Sequence, residues 1–159
     1  MMLVKNTMKR VVVSASPEST VLQAARLMIA HGIGTLPVVN SQGRLVGVVT
    51  LNTILDVFIP NYFDYLENLS FVHNFGALED FLPKDVAEIA GTALQSIMTQ
   101  PVAVYEDESI FRAATKMTRH NLVDLPVINQ QEKLVGLASH VDIGTAFLQK
   151  WIRAKGFMP

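Results

Sequence analysis

The chain has 159 residues, 50% of them hydrophobic and 17% charged, with 13 basic side chains against 14 acidic for a net charge of −1. Its mean hydropathy is +0.31, so there is ample apolar surface to offset the entropy of ordering, which excludes a disordered chain; the charge balance argues against a general nucleic-acid binder, which needs a basic face to displace counterions. The absence of cysteine excludes disulfides, a thiolate nucleophile and sulfur-ligated zinc, and the histidine spacing suggests no metal site.

The first predicted element is a short strand, Val11-Val12-Val13. The turn Pro17-Glu18-Ser19-Thr20 follows and supplies a helix cap, because a side-chain oxygen there accepts orphan amide protons. Val21–Ala30 has apolar residues at helical spacing and ends near Gly32, which tolerates a left-handed backbone. Leu36–Val39, the polar turn Asn40–Gly43 and Leu45–Val49 read as a β-hairpin. A second helix starts at Thr50.

Residues 58–91 form an insert. Seven of the twelve aromatic residues fall here (Phe58, Tyr62, Phe63, Tyr65, Phe71, Phe75 and Phe81), together with a run of acids and one base, Lys84. Tyr62, Tyr65, Leu66 and Leu69 lie at helical spacing. Ordinary packing, a dimer or partner surface, and a flap over a cleft are the alternatives for this segment. The tail 149–159 is basic and amphipathic around Trp151.

From Val102 the same order of elements returns. Shifted by 89 residues, Thr20–Ile54 lies on Ser109–Ile143 without a gap, and 13 of the 35 positions are identical. Leu36-Pro37-Val38 and Asn40 recur as Leu125-Pro126-Val127 and Asn129, and Leu45-Val46-Gly47 recurs as Leu134-Val135-Gly136. With a one-residue gap, Thr7-Met8 also falls on Ile97-Met98. Each copy, residues 1–57 and 92–148, reads strand–helix–strand–strand–helix. A unit of about 50 residues has too little core to stand alone. The expected fold is therefore α+β: two β-α-β-β-α repeats about a pseudo-two-fold axis, with their sheets packed face to face.

Each copy carries Met-x-x-Val-Val-Val or its equivalent, Leu-Pro-Val-hydrophobic-Asn, and Leu-hydrophobic-Gly before a Thr/Ser. On these motifs the chain resembles a tandem pair of CBS domains (named for cystathionine β-synthase), with no other recognisable module attached. The resemblance implies two clefts between the repeats, an adenosyl ligand (AMP, ADP, ATP or S-adenosylmethionine) as a regulator, and pairing into homodimers.

Ser139 is placed to cap the last helix, where its hydroxyl and the amides after it make an anion site suited to phosphate. Asp142 lies one turn on, and its oxygens can accept from ribose hydroxyls. Thr50 and Thr53 are the counterparts in the first copy, and Thr53 cannot make a carboxylate's charge-assisted contact. The resemblance implies that the Ser/Thr–Asp motif of one repeat faces the dipeptide before Leu-Pro of the other. One cleft then holds Gly34, Thr35, Ser139 and Asp142. The other, degenerate because Thr53 replaces the motif acid, holds Thr50, Thr53, Val123 and Asp124. Arg10, Val11 and Val12 are assigned to the adenine slot and the phosphate side, with His140 as a further phosphate contact. The sparse basic residues favour AMP over ATP.

The expected function is a non-catalytic, cytoplasmic nucleotide sensor acting on a separate effector protein. The alternative is an oligomerisation or scaffold module with vestigial clefts. No run reaches the ~18 apolar residues of a membrane span.

Overall fold

In a computed structural model the described residues are 1–58, 86–154 and 156. Most of the aromatic, acidic insert lies outside them.

The first repeat contains α1 (Val21–His31), β1 (Thr35–Val39), β2 (Leu45–Thr50) and α2 (Leu51–Phe58). A short helix, α3 (Val86–Gly91), then lies against α1. The second repeat contains β3 (Val104–Tyr105), α4 (Ile110–His120), β4 (Asp124–Ile128), β5 (Leu134–Ser139) and α5 (His140–Ala154). The local signals act as their chemistry requires. Thr20 caps α1 by accepting from the Gln23 amide, and Ser109 caps α4 by accepting from that of Arg112. Gly32 and Asn121 close these helices in the left-handed conformation, at φ 59° and 51°. Val21, Ala24 and Met28 form the buried stripe of α1, and Ile110, Ala113 and Met117 that of α4.

Both hairpins are antiparallel, with a register shift at the same place in each, Val38/Val39 and Val127/Ile128. Asn40 Oδ1 accepts from the amides of Gln42 and Arg44, and Asn129 Oδ1 from those of Gln131 and Lys133. The two turns meet on the pseudo-dyad. Leu45 donates to the Glu132 carbonyl and Leu134 to the Gly43 carbonyl, both at 3.1 Å. Gly43 takes φ 76° and its counterpart Glu132 takes φ 61°, a conformation that favours glycine.

The first strand of each repeat differs from its expected place. Val11-Val12-Val13 pairs with nothing in a sheet, and Val11 is 94% exposed. The parallel pairing falls later, at Ala15 against Val38 and at Val104–Tyr105 against Val127–Ile128. Ala15 and Val104 are the positions buried beside the hairpin. The valine run ahead of Ala15 is instead the crossing between the two repeats.

That crossing exchanges the leading segments. Val4 and Met8 are buried in the core of the second repeat, with Val104, Ile110, Met117, Leu125 and Ile143. Leu94 is buried in the core of the first, with Val21, Met28, Leu36 and Val49, and Met98 packs against that cluster. Lys9 and Leu137 exchange both backbone hydrogen bonds at 2.9 Å, and Val48 and Thr99 do the same at 3.1 and 3.0 Å. Each methionine covers a glycine of the strand it crosses: a Cβ on Gly47 would meet the Met98 side chain, and one on Gly136 would meet Met8 and also the Lys9 carbonyl at 3.0 Å.

Gly136→Ala is expected to destabilise the fold by about 1–3 kcal/mol, since the Lys9 backbone has to move. Gly47→Ala should cost less, and Met98→Ala in the same chain should relieve part of its strain. Urea denaturation of the three variants checks the order.

Candidate functional site

The hairpin geometry places the dipeptide before each Leu-Pro, Gly34-Thr35 and Val123-Asp124, beside its own helix start. Leu51 donates to the Gly34 carbonyl at 3.0 Å, and His140 to the Val123 carbonyl at 2.7 Å. Thr35 pairs with Thr50, and Asp124 with Ser139. A cavity of about 430 Å3 opens between the repeats, within the range of small-molecule sites. The first repeat contributes Gly34, Thr35, Val48, Thr50, Leu51 and Asn52 to its wall. From the second come Thr99, Gln100 and Val102 on the leading segment, then Asn121, Leu122, Val123, Asp124 and Pro126. Gly34-Thr35 and Val123-Asp124 thus border one cavity together with Thr50 on one side of the dyad, which corrects the expected grouping of Gly34 and Thr35 with Ser139 and Asp142: the pairing of β1 with β2 holds Thr35 beside Thr50. Thr53 stands one turn into α2 and does not line it.

Ser139, His140 and Asp142 stand on the other side. Lys9 is bridged to Leu137, two residues before Ser139 on β5, so Lys9 and Arg10 enter this region on the backbone of the exchanged segment. The Arg10 guanidinium donates to the Lys5 carbonyl at 3.3 Å and is exposed. Val12 is half-buried, His140 exposed.

The two helix starts share one device with different chemistry. The Asp142 amide donates to Ser139 Oγ at 3.1 Å, while Asp142 Oδ2 accepts from the Ser139 amide at 3.1 Å and from its hydroxyl at 2.7 Å. In α2, the Thr53 amide donates to Thr50 Oγ1 at 3.2 Å, the Thr50 amide to Thr53 Oγ1 at 3.2 Å, and the two hydroxyls lie 3.0 Å apart. These are capping boxes with Asp or Thr in the third position. Two of the amides expected to be free are engaged: His140 donates to the Val123 carbonyl and Asp142 to Ser139 Oγ, because closing the hairpin and capping the helix use them first. Asp142 Oδ1 takes no hydrogen bond among the described residues.

Sequence reasoning missed Asn52, Thr99, Gln100 and Asn121. Thr99 and Gln100 were legible in principle, since they follow the Ile97-Met98 that matches Thr7-Met8. Among the described residues no helix is long and apolar enough to cross a membrane.

A family model of the CBS domain matches residues 4–59 and 94–148. The chain is 28% identical to an uncharacterised protein of Methanocaldococcus jannaschii over 92% of each chain. It is 31% identical to a homoserine O-acetyltransferase of Methanosphaerula palustris over 86% of this chain but only 22% of the relative. An L-aspartate semialdehyde sulfurtransferase of M. jannaschii is 25% identical, and the chain spans only 23% of its length. Among solved structures, the CBS pair of protein MJ0100, in complex with 5′-methylthioadenosine and S-adenosyl-L-methionine, is 25% identical with a TM-score of 0.65, over 92% of this chain and 99% of that one. CBSX2 of Arabidopsis thaliana, in complex with AMP, is 22% identical with a TM-score of 0.70, over 94% and 98%, and shares the fold.

Ser139→Ala removes a hydroxyl that both accepts from and donates to Asp142. A loss of about 1–2 kcal/mol is expected, and chemical denaturation measures it.

Proposed function

The chain belongs to the CBS-domain family, and we propose that it is a non-catalytic regulatory module that binds an adenosyl nucleotide in the cleft of Ser139 and Asp142. The observation that carries this reading is how charge divides between the two dyad-related sides. Lys9, Arg10 and His140 take the positions that Thr99, Gln100 and Leu51 hold around the cavity. Cations for a phosphate therefore accompany the one motif acid, Asp142. Its Oδ1 accepts a ribose hydroxyl, and Oδ2 has lone-pair capacity beyond the Ser139 bond. Val11 and Val12 flank the base.

The few cations favour AMP, with ADP, ATP and S-adenosylmethionine as the other candidates. Likeness to a CBS pair solved with two adenosyl compounds supports the ligand class. Lys9 and Arg10 continue the segment that carries Met8 into the core of the second repeat. A ligand drawing on them biases how the repeats pack, by no more than its difference in affinity for the two packings. The receivers of that change are a second copy of the chain and a separate effector protein. Phe111 and Phe147, 66% and 42% exposed and 6.3 Å apart on α4 and α5, support a contact between copies on that face.

One observation favours an oligomerisation module with vestigial clefts: Ser139 and Asp142 already satisfy one another as a plain cap. A thermal-shift series with AMP, ADP, ATP and S-adenosylmethionine separates the readings. At 100 times Kd the nucleotide adds about 2.7 kcal/mol, a rise of about 5–10 °C for a chain of this size. Asp142→Ala should abolish it, and calorimetry should count one AMP per chain. No shift with any of the four supports the scaffold, and two equal AMP sites refute the division of charge.

A further inference from the structure

The two crossings between the repeats are alike in design and unequal in shelter. Met8 is 8% exposed and buried in the core of the second repeat, whereas Met98 is half-buried and flanks the core of the first. Met28 and Met117, on the buried stripes of α1 and α4, are 3% and 2% exposed. Among the described methionines, Met98 is the one that joins solvent access to a seat on a strand glycine. Its sulfur rests on Gly47, and its Cγ and Cβ lie over the same residue, 2.8 and 3.1 Å from where a Cβ would stand. The donors around it are engaged. The Val48 amide donates to the Thr99 carbonyl and the Thr99 amide to that of Val48. The Thr99 hydroxyl donates to the same Val48 carbonyl at 3.3 Å, and the Met98 amide donates to the Leu94 carbonyl at 2.7 Å.

A thioether suits this seat because it is apolar and asks for no partner, whereas a sulfoxide is strongly polar. An oxygen added to the sulfur has two courses. It points into the crossing, where it takes a hydrogen bond only by breaking one of these, or it turns to water and draws the sulfur off Gly47. We propose that Met98 is an oxidative modification site: a hydroperoxide converts its thioether to the sulfoxide, which opens the crossing at Gly47 while the one at Gly136 stays closed. With hydrogen peroxide, a sulfur lone pair attacks one oxygen and the O–O bond breaks. The departing hydroxide takes the transferred oxygen's proton and leaves as water, so the sulfur is oxidised by two electrons and the peroxide reduced by two. The chain has no cysteine, so no thiol of its own competes for the oxidant. Thr99 and Gln100, next in the chain, line the cavity between the repeats with Val48, so the change reaches that wall directly.

The folded full-length chain is treated with hydrogen peroxide, and its sulfoxides are located by peptide mass mapping. Met98 is expected to be converted while Met8, Met28 and Met117 stay reduced. The thermal midpoint is expected to fall by about 3–10 °C. Met98→Leu, which keeps an apolar side chain of similar volume, is expected to hold its own midpoint under the same treatment. Hydrogen exchange on the oxidised wild-type chain reads the place of the change: the amides of Val48 and Thr99 lose about tenfold or more in protection, and those of Lys9 and Leu137 do not. Met98 left unoxidised, a Met98 sulfoxide without a fall in midpoint, an equal fall in Met98→Leu, or protection lost alike at both crossings overturns the proposal. If Met98→Leu does not fold, the exchange measurement on the wild-type chain decides alone.

Discussion

Two methionines lying over two glycines hold the repeats together. Met98 crosses β2 at Gly47 and Met8 crosses β5 at Gly136, and at each crossing the neighbouring residue exchanges a pair of backbone hydrogen bonds with the strand. A side chain at Gly136 would displace the Lys9 backbone, and one at Gly47 would displace the Met98 side chain. The contact also completes the interior, because Leu94 closes the core of the first repeat and Val4 that of the second. A repeat deprived of the other's leading segment would expose buried leucine, valine and methionine, and about 50 residues cannot absorb such a loss. The clefts follow from the same contact. Thr99-Gln100 come next after Met98, so the cavity beside Thr50 takes part of its wall from the opposite repeat.

The two-fold is kept where packing needs it and broken where solvent or ligand is met. Ala24/Ala113, Met28/Met117, Leu36/Leu125 and Gly47/Gly136 are identical pairs because each occupies the same closely packed place. The pairs bordering the clefts have diverged: Thr35/Asp124, Leu51/His140, Thr53/Asp142 and Gln100/Arg10. At the axis itself Gly43 is matched by Glu132, which accepts a left-handed backbone and reaches Arg44 across the dyad at 3.9 Å. An exposed pair of this kind is worth little, so the backbone bonds between the turns are what fix the axis.

The elements legible in the sequence were those specified by neighbours in the chain. Thr20 and Ser109 as caps, Gly32 and Asn121 as stops, and the Asn40 and Asn129 turns depend on residues within four positions, and their chemistry declares them. The first strand of the first repeat was misplaced because its partner is distant. A valine triplet has high β-propensity, yet Ala15 is the residue beside β1, and only the tertiary arrangement picks it; in the second repeat Val104, the last residue of the expected strand, does pair with β4. The exchanged segments left one clue, the single-residue gap between the Thr7-Met8 and Ile97-Met98 matches, whose meaning required knowing which core each methionine entered. In the cavity wall, Thr50 and Asp124 were announced by their motifs. Asn52 and Asn121 were not, since they carry no pattern beyond adjacency to a cap and a stop. The expectations for residues 59–85 fall outside the described part of the molecule.

The exchange also sets an order of events during synthesis. When the ribosome has made α1, β1, β2 and α2, the first repeat still lacks Leu94 and Met98, which emerge some forty residues later. Met2–Met8 are older than all of these, yet β5, the strand on which Met8 rests, is among the last elements to leave the tunnel. The earliest of these residues to be made are thus among the last to find their place, and the contacts joining Val4 to Glu108 and Lys9 to Leu137 close loops of roughly a hundred residues or more. Such long-range closure slows folding, and until it happens the nascent chain carries two unfinished interiors, each open on the side that the other half will cover.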